Sequence, residues 1–385
     1  MQQPSGFVNT ALLTHVCRLH KSLYGLKQAP WTWYMRLSDF LLTIDFQASK
    51  VDTSLFILNR TPDIYYLLVY VDDILITGNN SELIHRLITL LSSEFKLRDL
   101  GHTRYFLGIE VAPTSMGLVL SQHNYVLDIL NRAGMSSCKP VDTPAFVSKL
   151  DLQSTELFSD TTRFRQIVGA LQYLMFTRPD ICYAVNKVCQ FMHAPTEGHW
   201  AAVKRILRYL KGTSSFGLHL TRDSALSLHG FTDADWADNI DDRKSTGGYI
   251  VFLGTTPISW KSGKQRTVAR SFTEAEYKAL ADGTIEVLWL CYLLSDLCFS
   301  PSSATTIWCD NLGATYLSLN PIFHARTKHV EVDYHYVRDR VTKKEIQIRF
   351  IPSKDQLADV LTKPLASSAF TSLRSKLHVD NSPSA

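Results

Sequence analysis

Residues 65–78 read Tyr-Tyr-Leu-Leu-Val-Tyr-Val-Asp-Asp-Ile-Leu-Ile-Thr-Gly, two apolar, β-branched and aromatic runs that meet at a pair of carboxylates. Two such runs around a tight polar tip predict a β-hairpin. Adjacent acids between apolar strands are costly, because like charges at close range resist joint ionisation. A divalent cation is the usual remedy, and Asp72 and Asp73 offer the hard oxygen ligands that Mg²⁺ takes. An ordinary Asp-Asp turn has the same appearance, so other segments must separate the two.

At 385 residues the chain is long enough for two or three domains. Its composition, 45% hydrophobic and 20% charged, is that of a globular protein with real cores. With a formal charge of only +4, any polyanion-binding surface has to come from local clustering of Lys and Arg. No signal peptide is legible in the first residues. No apolar run approaches the roughly 20 residues that a membrane span needs, since Asp72 interrupts the longest candidate. Seven cysteines without a Cys-x-x-Cys pair point to reduced thiols rather than a disulfide framework or a zinc site.

In chain order, residues 16–19 suggest a short strand, and Lys21 to Pro30 a Gly- and Lys-bearing loop before a helix through Trp33, Leu37, Phe40 and Leu41. That loop suits a phosphate-bearing ligand or simply an entry to the helix. Residues 81–95 predict a helix, 105–111 a strand paired with 118–120, and 124–133 a helix closed by Gly134. Residues 138–160 read as a connection. Helices dominate 161–213; on the last, Lys204, Arg205, Arg208 and Lys211 lie opposite Trp200, Val203, Ile206, Leu207 and Leu210. A basic face of this kind is either solvated or set against nucleic-acid phosphates.

From residue 226 onward the pattern is three strands, a long helix over 271–297, then a strand, two helices, a strand and a helix, which predicts an α/β domain with a mixed sheet. Four acids there sit where a metal centre can be built. Asp233 ends the first strand, although alternation leaves Asp235 equally placed. Glu274 fits a capping box. Glu276 instead falls on the otherwise apolar stripe of Leu280, Val287 and Leu294, where an ionisable group needs a partner or a metal. Asp310 could also cap a helix, and Asp359 could pair with Lys363 at i+4. Jointly, four converging carboxylates would hold two Mg²⁺ ions for phosphodiester hydrolysis.

Residues 1–220 resemble the later part of a copia-type retrotransposon reverse transcriptase. The resemblance rests on Ser22-Leu-Tyr-Gly-Leu-Lys-Gln-Ala-Pro30, Tyr70-Val-Asp-Asp73, Tyr105-Phe-Leu-Gly-Ile-Glu110, Thr177-Arg-Pro-Asp-Ile181 and Leu207-Arg-Tyr-Leu-Lys-Gly-Thr213. Residues 226–366 resemble the ribonuclease H domain of the same polyproteins, through Thr232-Asp-Ala-Asp-Trp-Ala237, Thr273-Glu-Ala-Glu-Tyr277, Cys309-Asp-Asn311 and Ala358-Asp-Val-Leu-Thr-Lys-Pro-Leu365. The resemblance implies an α/β (α+β) architecture: a partial polymerase palm (1–115), a helical thumb or connection (116–220), a ribonuclease H-like mixed-sheet domain (221–367) and a disordered tail (368–385). It implies Asp72 and Asp73 as polymerase metal carboxylates, Tyr24, Gly25, Lys27 and Gln28 beside nucleotide and template, and Tyr105, Phe106, Leu107 and Gly108 at the primer. It favours Asp233 over Asp235 and makes Asp233, Glu276, Asp310 and Asp359 the ligands of a two-metal Mg²⁺ (or Mn²⁺) site. The implied partners are an RNA–DNA hybrid, an RNA template and a DNA primer, with the remainder of Pol or an integrase. The implied setting is intracellular, in a cytoplasmic particle or the nucleus, and the wider process is DNA integration of a transposable element.

Some positions depart from that pattern. The family's polymerase uses a third Asp on a strand before the Leu23-Tyr24-Gly25 segment, whereas Asp39 is the first Asp and Glu82 the first Glu here. Trp31 stands where Arg is common. The expectation is a polymerase half that is inert alone, with hybrid cleavage retained in the second half; the competing expectation is a nucleic-acid-binding remnant without catalysis.

Overall fold

The computed structural model describes residues 1–20, 23, 25–147, 156–222, 226–299, 303–319 and 331–381. The chain divides into two units, Met1–Leu100 and Gly101–Ala385. The division falls before the hairpin at 109–121, so its two paired strands stay in one unit.

In the first unit, α1 (Ala29–Thr43) is followed by β1 (Gln47–Ala48), β2 (Leu55–Arg60), β3 (Asp63–Tyr70), β4 (Asp73–Gly78) and α2 (Ser81–Glu94). The strands form one sheet in the order β1-β2-β3-β4. Leu37 and Leu41 of α1 and Leu87 and Leu91 of α2 pack with Phe56, Leu67 and Phe95 into one core. Asn80 caps α2, its side chain accepting from the Glu82 and Leu83 amides. Residues 16–19 are exposed and form no strand, so they have no sheet to bury them.

The second unit opens with β5 (Tyr105–Phe106), β6 (Ile109–Thr114) and β7 (Gly117–Ser121). The expected single strand over 105–111 is therefore broken. Leu107 and Gly108 both take positive φ (49° and 73°), and Phe106 pairs with Ile109, so the segment is a two-residue hairpin. Helices α3 (His123–Arg132), α4 (Thr161–Leu174), α5 (Cys182–Cys189) and α6 (Glu197–Gly212) follow, then β8 (Phe216–Thr221). The remainder is β9 (Leu228–Asp235), β10 (Thr246–Leu253), β11 (Thr256–Lys264), α7 (Phe272–Asp296), β12 (Thr305–Cys309), α8 (Leu312–Leu319), α9 (Glu331–Thr342), β13 (Ile346–Phe350), α10 (Asp359–Thr362), α11 (Ser367–Lys376) and β14 (Val379–Asn381).

Two sheets result. One runs β14-β8-β7-β6-β5. The other runs β11-β10-β9-β12-β13, antiparallel through β9 and parallel beyond it, the mixed α/β sheet expected of a ribonuclease H-like domain. Helix α7 crosses this sheet closely. A Cβ at Gly283 would lie 2.6 Å from Thr232 Cγ2, so glycine sets the approach of the helix to the strand that carries Asp233. Residues 367–381 correct the expectation of a disordered tail. Phe370, Leu373, Leu377 and Val379 are buried, and β14 pairs with β8. Ser367, Ser368, Ser372 and Ser375 lie on the outward face of α11.

Candidate active site

The mixed sheet brings its acids together through register. Cys309 of β12 pairs with Thr232 of β9, so Asp310 and Asp233 follow side by side on parallel neighbours. The Ser271 hydroxyl accepts from the Glu274 amide to start α7, and Glu276 then faces the sheet, where its Oε1 accepts from the Ala234 amide at 3.3 Å. Ligand-capable oxygens of Asp233, Glu276 and Asp310 all lie within 4.8 Å of one another, and among the described residues they form the one such group of three or more His, Cys, Asp or Glu.

Asp359, the fourth expected acid, lies outside that group of three and meets it through Lys363, whose Nζ is 2.9 Å from Asp359 Oδ1 and 3.4 Å from Asp233 Oδ2. Gln356 anchors the segment before α10 by donating from Nε2 to the Thr232 carbonyl at 2.9 Å. The cap role open to Asp310 is taken by Asn311, whose Oδ1 accepts from the Ala314 amide. Ser353 Oγ donates to Asp310 Oδ2 at 2.8 Å, while Asp310 Oδ1 is buried with no hydrogen-bond partner. Glu274 is accounted for by Lys278 and the Arg270 amide.

Burial dominates the electrostatics. Glu276 is fully buried, and that burial, reinforced by Asp233 and Asp310, holds its carboxyl well above the ordinary range. Burial also raises Asp233, against the pull of Lys363. Asp359 is pushed up to about 7 by burial and by Asp233. The folded chain therefore keeps protons that the unfolded chain has released. That contribution to stability is full below the ordinary carboxylate pKa of about 4 and is lost as the pH rises through about 7. A cation binding here must displace those protons. The rise in melting temperature caused by Mg²⁺ is expected to be larger at about pH 8 than at about pH 6. Thermal melts with and without Mg²⁺ check this; equal shifts at both pH values would contradict it.

The residues fit divalent cations: hard oxygens of three acids converge, and among the described residues a single lysine, Lys363, faces the cluster. Asp310 Oδ1 and Asp359 Oδ1 are buried without a hydrogen-bond partner, the latter in ion-pair contact with Lys363. Sequence reasoning missed Ser353, Gln356 and Thr362, polar residues whose spacing carries no charge signal. It placed Lys363 only as a partner of Asp359, a pair the structure contains at 2.9 Å.

The other expected site residues lie elsewhere. Asp72 and Asp73 are exposed at the β3–β4 tip, where Tyr70 pairs with Asp73 and leaves Val71 and Asp72 as the turn. Val71 takes φ +54°, unusual for a β-branched residue, and its carbonyl accepts from Trp33 Nε1 at 2.8 Å. Gly25, Lys27 and Gln28 are exposed before α1, and Tyr24 lies outside the described residues. Tyr105 is exposed, and Leu107 accepts from the Tyr173 hydroxyl. The basic face of α6 is partly engaged within the protein. Arg205 donates to the Ala145 carbonyl and Thr143 hydroxyl and lies over Phe146, and Arg208 donates to the Lys139 carbonyl. Lys204 is exposed and Lys211 half-buried.

Comparison with known proteins adds the family. A family model described as reverse transcriptase (RNA-dependent DNA polymerase) matches residues 1–147. The Pol polyprotein from transposon RE1 of Arabidopsis thaliana is 52% identical over 384 residues, covering 100% of this chain and 26% of that protein. The putative transposon Ty5-1 protein of Saccharomyces cerevisiae is 32% identical, covering 74% of this chain and 94% of its own length. The chain belongs to the copia-type retrotransposon Pol family. Its residues 1–147 match the reverse transcriptase family model, and the chain spans about a quarter of the length (26%) of the Arabidopsis Pol polyproteins it matches. Among solved structures, LC11-RNase H1 from compost is similar at a TM-score of 0.29 and 12% identity, covering 38% of this chain and 97% of that one. No described helix is long and apolar enough to cross a membrane.

Proposed function

We propose that this copia-type Pol region hydrolyses the RNA strand of an RNA–DNA hybrid at the Asp233, Glu276, Asp310 and Asp359 site. One observation carries the reading: three carboxylates from a strand, a helix and a second strand place their oxygens within 4.8 Å of one another. Groups this costly to assemble are kept for a cation or for chemistry. Bound Mg²⁺ or Mn²⁺ ions would supply an activated water and stabilise the leaving oxygen. The protein's part is positional. Asp233 and Asp310 are held by strand register, Glu276 by the Ala234 amide, and Asp359 by the Gln356 anchor. A 2′-hydroxyl marks the strand to be cut.

In the same reading residues 1–115 act as a palm, 116–220 as a thumb or connection and 221–367 as the nuclease domain. Asp72 and Asp73 hold polymerase metals, Tyr24, Gly25, Lys27 and Gln28 meet nucleotide and RNA template, Tyr105–Gly108 meet the DNA primer, and Lys204 with Lys211 follow the phosphate backbone. The rest of Pol or an integrase is the protein partner, in a particle or the nucleus. The test is to give purified chain labelled hybrid, duplex DNA and single-stranded RNA with Mg²⁺. Selective loss of the hybrid's RNA strand supports the reading, and binding without any cleavage counts against it.

A further inference from the structure

Asp233 divides the acidic site into two unlike halves. On one side lie Glu276 and Asp310, and among the described residues neither acid forms an ion pair. On the other side Lys363 Nζ sits 3.4 Å from Asp233 Oδ2 and 2.9 Å from Asp359 Oδ1, bridging the two carboxylates. Thr362, next along the chain, donates its hydroxyl to Asp233 Oδ2 as well.

The Lys363 backbone is held in place. Its φ of −141° and ψ of 155° are extended, Leu361 and Thr362 are buried before it, and its amide donates to the Asp359 carbonyl at 3.1 Å. Its side chain is 32% exposed. A flexible four-carbon stem on a fixed backbone, open to solvent on one side, lets the ammonium withdraw without disturbing the strand or helix.

We infer that Lys363 is a displaceable internal cation. It neutralises the Asp233–Asp359 half of the site, and a divalent ion that uses both carboxylates must expel it, while the Asp233–Glu276–Asp310 half receives an ion without such competition. Lys363 is thus a positioning residue that makes the two halves bind cations unequally. The inference deepens the hydrolase reading and rests on its metal centre.

The experiment titrates the full chain with Mn²⁺ at fixed pH, counting bound ions by electron paramagnetic resonance and calorimetry. Wild type, Lys363→Met and Lys363→Arg are compared, with thermal melts alongside. Wild type is expected to bind one Mn²⁺ and a second at least about tenfold more weakly. Lys363→Met keeps the stem but lacks the charge. It should tighten the second site about tenfold and leave the first within about twofold. Lys363→Arg, still a cation, should retain the inequality. Should the methionine variant melt non-cooperatively, Lys363→Gln gives the same reading. A neutral variant that melts like wild type and shows an unchanged or weakened second site overturns the inference while leaving the metal centre standing. No Mn²⁺ bound by wild type or variant overturns the metal centre and the inference together.

Discussion

Asp310→Asn is expected to abolish hybrid cleavage, by on the order of a thousandfold or about 4 kcal/mol of barrier, while leaving the fold intact or more stable. The substitution keeps the size and planarity of the side chain and removes one charge. In the metal-free protein that charge is unfavourable, since Asp310 raises the pKa of Glu276 and of Asp359 beside it. Taking it away relieves repulsion, and an amide nitrogen in place of the orphaned Oδ1 gains carboxylate acceptors close by. The expected signature is therefore opposite in its two readouts: activity lost, melting temperature held or raised. A purely structural Asp310, bonded only to Ser353, would give lower stability with activity falling in proportion. Cleavage assays and melts on the same preparation separate the two.

Asp180→Ala is expected to cost about 3–5 kcal/mol of stability, a fall in melting temperature on the order of 10 °C for a unit of this size. Arg178 and Asp180 are each only 1% exposed. The guanidinium donates from Nε at 2.9 Å and Nη2 at 2.7 Å to the two Asp180 oxygens, and to the Thr213 carbonyl and hydroxyl, both at 2.9 Å. Tyr209 donates its hydroxyl to Asp180 Oδ2 at 2.5 Å. These contacts tie the turn after α4 to the end of α6, and Arg374 of α11 reaches the Tyr209 oxygen at 3.3 Å. Alanine at 180 strands a buried guanidinium, and the loss comes from that uncompensated charge rather than from the pair's own net value. The double variant Arg178→Met, Asp180→Leu removes both charges and should recover much of the stability. If the single and double variants melt alike, the stranded-charge account is wrong. If Asp180→Ala melts like wild type, the network contributes nothing.

The mixed-sheet half was legible because period and chemistry agree there. Strands at 228–235, 246–253 and 305–309 alternate or run apolar, and α7 announces itself by length, cap and stripe. Glu276 stood out as an acid among buried apolar residues, and it is indeed fully buried. Local pattern could not report what long-range pairing decides. The 105–111 run has strand composition, yet Leu107 and Gly108 turn back on themselves because β6 can then pair with both β5 and β7. The C-terminal residues look frayed until β8 offers Leu218 and Gly217 as partners for Val379 and Asp380. Arg205 and Arg208 share a helix face with Lys204, and only the path of residues 139–146 shows that the arginines serve the fold. Lys363 is the instructive case. As an i+4 partner of Asp359 it looked like a surface pair, and only the placement of β9 beneath it makes it a cation within the site.

The most direct measurement is Mg²⁺-dependent cleavage of a hybrid with labelled RNA by the purified chain, its folding verified by a cooperative melt and the reaction stopped and restarted by chelator and fresh Mg²⁺. The predicted result is that the RNA strand is cut, the DNA strand stays whole, and activity follows the metal. A cooperatively folded chain that leaves the RNA intact at saturating Mg²⁺ would contradict the assignment of Asp233, Glu276, Asp310 and Asp359 as a hydrolytic centre.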